Sequence, residues 1–347
     1  MQQFKTPESN NNTLIISLGD PAGIGTEIIL KALGSKYLNK NIQPLIVGCK
    51  NNIYETYTKL INHGIDTIPD PDKLDIIDIP IERKIIPGIV DEHTGSASFK
   101  WLLNATNMLL EGKAKALVTA PISKIAWHKA GHKFEGQTEL LGKLTNKKTS
   151  MLFTAISPNN GWRFNTLLAT THISINKINN HLTKELIRYK LDALLHFCRQ
   201  FKDKPLIHIA GLNPHAGEEG KIGIEEQKLI IPTLNEWKVD NPGIKITGPI
   251  PPDTCWLSSA DAWISESTEN NAPDGILALY HDQGLIPVKL IAFDEAVNTT
   301  LGLPFIRTSP DHGTALDIAG KFKARATSMI AAMNNAWLLS REVKTFK

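Results

Sequence analysis

Leu14-Ile-Ile-Ser-Leu18-Gly-Asp-Pro-Ala-Gly-Ile-Gly-Thr-Glu27 is the stretch on which the fold turns. Its first five residues are a short apolar run, which reads as a buried strand. Three glycines and a proline break that run, and a helical pattern follows over 26–33. Strand, glycine turn and helix in succession make the opening unit of an α/β domain. Backbone N–H groups at such a helix N-terminus can approach an anion. Gly19, Gly23 and Gly25 do not give G-x-G-x-x-G, so the dinucleotide fingerprint is absent. A tight turn without a ligand is the simpler account of the spacing.

The alternation continues outward from this unit. Apolar runs at 45–47, 116–119, 206–209, 276–279 and 288–291 alternate with helical patterns over 96–110, 178–201 and 225–237. Within 178–201, Leu182, Leu186, Tyr189, Ala193 and Phe197 recur at i+3 and i+4, the spacing of a one-sided helix. The apolar stretch 284–293, interrupted by Pro287 and Lys289, reads as a buried strand. Together these patterns predict an α/β fold with a largely parallel sheet. A chain of 347 residues has length for about two domains. The Gly/Pro-rich segments 211–217, 248–252 and 303–313 are too short for linkers. They look like loops at the carboxyl ends of strands, where α/β sheets collect ligand-binding groups.

Composition narrows the function class. Lys plus Arg (38) barely exceeds Asp plus Glu (35), a net charge of +3, so no concentrated basic excess marks a nucleic-acid or membrane-surface partner. No apolar run approaches the roughly 18–20 residues of a membrane helix. The N-terminal MQQFKTPESNNNT is polar and has no apolar core of a signal peptide. Cys49, Cys198 and Cys255 are odd in number and form no Cys-x-x-Cys pair, which implies neither a disulfide framework nor a zinc ribbon. A reduced, cytoplasmic setting is the expectation.

Two groups of side chains carry chemistry. His172 ends an apolar run, His215 lies in Gly211-Leu-Asn-Pro-His-Ala-Gly-Glu-Glu219, and His281 lies in Tyr280-His-Asp-Gln-Gly284. Each sits where a strand gives way to a loop, so in a parallel sheet several of them can converge on one rim. Three neutral imidazoles suit Zn²⁺ or a similar ion and leave a position for substrate. Taken singly, each reads as a hydrogen-bonded structural histidine ahead of a ligand, and that reading is kept for His63, His128, His181 and His196. The second group is Lys289, Asn298 and Arg307, around Asn298-Thr-Thr-Leu-Gly-Leu-Pro304 and Arg307-Thr-Ser-Pro-Asp-His-Gly313. Arg grips a carboxylate or phosphate bidentately, Lys supplies a point charge and Asn an amide donor; a solvated face is the alternative. Asp282, Asp253 and Glu218 are available as acid–base groups, and nothing local singles one out.

Six blocks together carry a resemblance: Gly19-Asp-Pro-Ala-Gly-Ile-Gly25, Thr119-Ala-Pro-Ile-Ser-Lys124, Leu212-Asn-Pro-His-Ala-Gly-Glu218, Gly248-Pro-Ile-Pro-Pro-Asp-Thr254, Tyr280-His-Asp-Gln-Gly284 and Arg307-Thr-Ser-Pro-Asp-His-Gly313. In this order, over nearly the whole chain, the sequence resembles the 4-hydroxythreonine-4-phosphate dehydrogenases of pyridoxal phosphate (pyridoxine) biosynthesis. The resemblance implies an isocitrate/isopropylmalate-dehydrogenase-like fold, two α/β domains with the active site in the interdomain cleft. The corresponding limits are 1–125 plus 305–347 for the first domain and 126–304 for the second, which holds most metal and substrate residues. It implies a homodimer in which His172, His215 and His281 bind one divalent metal (zinc, cobalt or magnesium), with ligands from both subunits. Thr138, Lys289, Asn298 and Arg307 match the family's substrate-binding residues, and Gln137 stands at a further substrate position. The implied reaction is NAD- or NADP-linked oxidation of 4-phosphooxy-L-threonine to 2-amino-3-oxo-4-phosphobutanoate, which decarboxylates to 3-amino-2-oxopropyl phosphate. The resemblance designates no catalytic base and no cofactor-binding residue here.

Gln137 departs from the pattern. The family reads Gly-His-Thr-Glu where this chain has Gly136-Gln-Thr-Glu139. Gln keeps an N–H donor but cannot carry positive charge. His132, five positions earlier, is near enough in sequence to be able to approach the gap. The departure keeps a second expectation open, a dehydrogenase of a four-carbon sugar acid phosphate such as threonate or erythronate 4-phosphate. A catalytically silent metal-binding homologue is the third.

Overall fold

The computed structural model describes residues 12–81, 83–268 and 271–342, so the polar N-terminal run before Asn12 lies outside the described residues. Among those residues the strands are β1 (Thr13–Ser17), β2 (Gln43–Gly48), β3 (Asp75–Asp78), β4 (Ala116–Thr119), β5 (Ser150–Ile156), β6 (Arg163–Leu168), β7 (Leu206–Ala210), β8 (Lys245–Ile250), β9 (Gly275–Ala278), β10 (Val297–Leu301) and β11 (Ile306–Pro310). The chain forms two compact units, Met1–Thr149 with Leu303–Lys347, and Ser150–Gly302.

In the first unit the strand order is β3-β2-β1-β4-β11, with parallel pairing throughout. Leu14, Ile15 and Ile16 are at most 1% exposed, as expected of a parallel strand covered on both faces. The glycine turn after β1 is laced to the segment after β4, with Asp20 N donating to Pro121 O at 2.9 Å. Gly19 has φ +74°, and a Cβ there would lie 2.4 Å from Pro121 O, so both conformation and space require glycine. The helix Gly25–Leu33 follows. Strand order reverses direction between β1 and β4, and the carboxyl ends of these neighbours are where an open α/β sheet places ligands.

The helix expected from residue 96 begins at Glu92, because Asp91 builds a capping box. Asp91 Oδ1 accepts from His93 N and Thr94 N at 2.9 Å each. This helix, Glu92–Leu110, packs on the helix Lys124–Lys129 at Gly95, where a Cβ would lie 2.0 Å from Ala126 O. That packing draws 126–149, including the helix Gln137–Thr145, into the first unit; the limit lies at 149/150, not at 125/126 as the sequence reading had it. The helix Thr327–Glu342 closes the unit, with Met329, Ala332, Met333, Ala336 and Leu339 fully buried.

The second unit has the order β10-β5-β6-β9-β7-β8. β6, β9, β7 and β8 are parallel, but β10–β5 and β5–β6 are antiparallel. The sequence reading, which favoured parallel pairing, missed this hairpin. Only 157–162 separate β5 from β6, closed by Ser157 N to Trp162 O at 2.8 Å, and a parallel crossover needs a dozen residues or more. Phe153, Phe164, Leu168, Trp263 and Leu285 anchor the core.

Three helical regions differ from their sequence patterns. The stretch 284–293 is not a strand but the body of the helix His281–Ala292, burying Leu285, Val288 and Ala292 at i, i+3 and i+7. Its outer face leaves Ile286 58% and Leu290 80% exposed, which hid the helical period under apolar residues on both sides. The pattern 178–201 breaks at Thr183, whose Oγ1 accepts from Leu186 N at 3.2 Å to start Lys184–Cys198. Over 225–237 a π-turn, Glu226–Ile230, precedes Ile231–Asp240, where Pro232 has no N–H to offer the preceding turn. No described helix is long and apolar enough to cross a membrane.

Candidate active site

The first unit gathers three of the expected substrate residues around the end of β4. Arg307 stands on β11 in register with Leu117 and is 3% exposed. Its Nη2 and Nε donate to Thr119 Oγ1 at 2.7 and 3.2 Å, and Nη1 to Thr138 Oγ1 at 3.4 Å. Burial pulls the guanidinium pKa down to about 10, which leaves it protonated at neutral pH. Gln137 and Thr138 open the helix Gln137–Thr145, whose first N–H groups have no partner within the helix. Gln137 Nε2 donates to Ala120 O at 3.0 Å, so this amide is tied to the backbone after β4. His132 is engaged elsewhere: its ring stacks on Phe99 at 3.6 Å and 6°, and burial, with Lys100 beside it, lowers its pKa.

Asp20 lies beside the same segment, 1% exposed, with Oδ1 accepting from Ala22 N at 2.9 Å. Burial pushes its carboxyl up to about 6, against the opposing influence of the Ala22 N–H and the polar groups of Thr94 and Ser123. Its Oδ2 is buried without a hydrogen-bond partner among the described residues.

The second unit brings two of the three histidines together. His172 follows β6 and His281 follows β9, neighbouring parallel strands in the register Leu168↔Ala278. The two rings are 5.6 Å apart. His281 Nδ1 meets Asp282 Oδ1 at 2.7 Å, a contact that keeps the proton on Nδ1 and leaves the Nε2 lone pair for a ligand. This donor chemistry fits two imidazole ligands of a divalent first-row ion. His215 is on the loop after β7, exposed, and among the described residues no three His, Cys, Asp or Glu side chains form a metal-competent group. Gln283 ties that loop to the β9 exit: Leu279 N donates to its Oε1 and its Nε2 donates to Gly211 O, both at 2.6 Å.

Lys289 is half-buried on His281–Ala292, its ammonium 5.8 Å from the Phe293 ring centroid. Asn298 is half-buried on β10, and its Oδ1 is a buried acceptor without a partner among the described residues. His63, His128 and His181 hydrogen-bond to backbone carbonyls, the structural role expected of them. The sequence reading missed Thr119, Asp20 and Gln283 as parts of this chemistry. All three stand inside motifs it quoted, but a hydroxyl, a carboxyl and an amide become informative only once their burial and partners are known.

Comparison with known proteins agrees along the chain. The family model for pyridoxal phosphate biosynthetic protein PdxA matches residues 40–336. A 4-hydroxythreonine-4-phosphate dehydrogenase of Synechococcus sp. (strain RCC307) is 51% identical over 324 residues, 93% of this chain and 98% of the relative. A D-threonate 4-phosphate dehydrogenase of Pectobacterium atrosepticum is 37% identical, covering 94% of this chain and 99% of the relative. The crystal structure of 4-hydroxythreonine-4-phosphate dehydrogenase from Klebsiella pneumoniae superposes with a TM-score of 0.79 at 33% identity, covering 95% of this chain and 98% of that one. With most of its length matched by the family model and by relatives of this identity, the chain belongs to the pyridoxal phosphate biosynthetic protein PdxA family.

Proposed function

We propose that this chain is an oxidoreductase, a metal-dependent and NAD- or NADP-linked dehydrogenase of 4-phosphooxy-L-threonine. The product, 2-amino-3-oxo-4-phosphobutanoate, loses CO₂ to give 3-amino-2-oxopropyl phosphate on the route to pyridoxal 5'-phosphate. The observation that carries the reading is 51% identity to a dehydrogenase of that name over 93% of the chain.

Arg307, oriented by Thr119 and Thr138, grips an anionic end of the substrate through its planar fork. Thr138 and Gln137 add polar groups at a helix N-terminus, and Lys289 and Asn298 supply a cation and an amide. Fixing both ends of a four-carbon substrate orients the carbon that gives up hydride. His172, His215 and His281 hold the divalent ion, zinc, cobalt or magnesium, in a homodimer that draws ligands from both subunits. Asp282 holds the His281 proton at Nδ1, away from the ligand side. When bound, the ion supplies Lewis acidity toward the secondary alcohol, and the nicotinamide supplies the hydride acceptor. Three free, buried cysteines suit a reduced cytoplasmic setting.

The test is NADH or NADPH formation with 4-phosphooxy-L-threonine before and after chelation, then with Zn²⁺, Co²⁺ or Mg²⁺ restored. Activity is expected to vanish with the metal and return with it. Full activity in protein shown to be metal-free defeats the metal assignment, and no turnover in the loaded protein defeats the substrate. A second reading, dehydrogenation of threonate or erythronate 4-phosphate, is favoured by Gln137 and by the D-threonate 4-phosphate relative. A clear turnover preference for the sugar acid would establish it over the first.

A further inference from the structure

The loop that carries His215 has an unusual backbone. His215 (φ 52°), Ala216 (51°), Gly217 (79°), Glu218 (45°) and Glu219 (58°) are consecutive and all left-handed. Four of the five are not glycine, and each such residue is held in a conformation that L side chains adopt at a cost. A run of this kind persists only where its surroundings over-determine it.

Glu226 supplies that determination. It is 1% exposed, on the π-turn Glu226–Ile230 that follows the loop. Its Oε1 accepts from Leu212 N at 2.7 Å and from Asn213 N at 2.8 Å, and its Oε2 accepts from Asn213 Nδ2 at 2.9 Å. Three donors, two of them backbone N–H groups, thus converge on one buried side chain. The clamp also fits tightly: a Cβ on Gly217 would lie 2.7 Å from Glu226 Oε2, and one on Gly223 would lie 2.2 Å from Asn213 Nδ2. The carboxylate therefore grips the entry to the left-handed run two residues before His215, while its other oxygen faces Gly217 two residues after it. Nothing in these contacts reaches the substrate residues.

We propose that Glu226 is a positioning residue: its carboxylate holds the left-handed turn that aims His215, and so sets the affinity for the divalent ion. The proposal rests on the reading of His215 as a metal ligand.

The experiment measures the Co²⁺ dissociation constant of the stripped full-length protein by competition with a chromophoric chelator. Amide hydrogen exchange over 212–221 in the metal-free protein is measured alongside. Glu226→Ala is expected to weaken Co²⁺ binding about 10–100-fold, the usual size for losing a group that orients a ligand, and to speed exchange at Leu212 and Asn213. Glu226→Gln keeps an oxygen for the two N–H groups but turns an amide N–H₂ toward Asn213 Nδ2, so it should fall between. Asn213→Ala removes the side-chain half of the clamp together with the bond from Asn213 Nδ2 to Glu225 Oε2 at 2.8 Å, and carries the test if Glu226→Ala does not fold. It should bind Co²⁺ more weakly than wild type and more tightly than His215→Ala. Wild-type Co²⁺ affinity in the folded Glu226 or Asn213 variants overturns the proposal, even if exchange quickens. His215→Ala separates the two claims. If it binds Co²⁺ as wild type does, the ligand reading fails and the proposal falls with it; if it binds weakly while Glu226→Ala does not, only the positioning role fails.

Discussion

Arg307 is 3% exposed, and its guanidinium bonds to two threonine hydroxyls instead of standing in water. Lysine keeps the charge there but loses the fork, so Arg307→Lys should raise KM for the phosphorylated substrate about tenfold or more. Steady-state kinetics check it, and an unchanged KM would remove Arg307 from the binding site. Asp20 makes a prediction in pH. Its folded pKa, about 6, is above the ordinary carboxylate value of 3.8, so between those limits the folded state binds more protons than the unfolded one. Stability from this group is present below pH 4 and declines as pH rises to about 6. Asp20→Asn removes the titration, so its unfolding free energy relative to wild type should rise by about 1–3 kcal/mol from pH 4 to pH 7. Urea melts at the two pH values measure the difference, and a pH-independent difference refutes the assignment. At this scale the sequence announced the arginine, because a charge inside an apolar Pro/Gly-rich stretch stands out. It gave no warning of Asp20, whose burial comes from segments far away in the chain.

Helices and strands divide by how local their signals are. β1 and the helix Gly25–Leu33 were legible because glycine, proline and periodicity lie within a few residues of one another. The helix His281–Ala292 was not, since its exposed face carries Ile286 and Leu290 and its interior carries a proline. A strand and such a helix share the same run of apolar residues, and length with burial on one side separates them only after folding. Close packing makes a sharper prediction between elements. Gly95 lets Glu92–Leu110 approach Lys124–Lys129 so nearly that a Cβ would sit 2.0 Å from Ala126 O, a backbone atom that cannot rotate away. Gly95→Ala should therefore cost roughly 1–3 kcal/mol as overpacking, against the modest gain alanine brings to a helix interior. A thermal melt equal to or above wild type would show that the two helices can part without loss.

For the molecule as a whole, the proposed site draws ligands from two copies of a 38.3 kDa chain. Size-exclusion chromatography with light scattering should give twice that mass. A fully active monomer would end the shared-ligand reading.

Local pattern was enough to read alternating strands and helices and to single out residues of suitable donor type as candidates. These follow from side-chain period, turn chemistry and charge, all expressed over a few neighbours. Pairing was left to the folded chain. His172 and His281 are more than 100 positions apart and meet because β6 and β9 are adjacent parallel strands. The antiparallel β5–β6 hairpin, the move of 126–149 into the first unit, and the clamp of Glu226 on the His215 loop were decided the same way. Each depends on contacts between distant segments, whose free energy is realised only when the core closes and water leaves, and no short stretch of sequence carries that information.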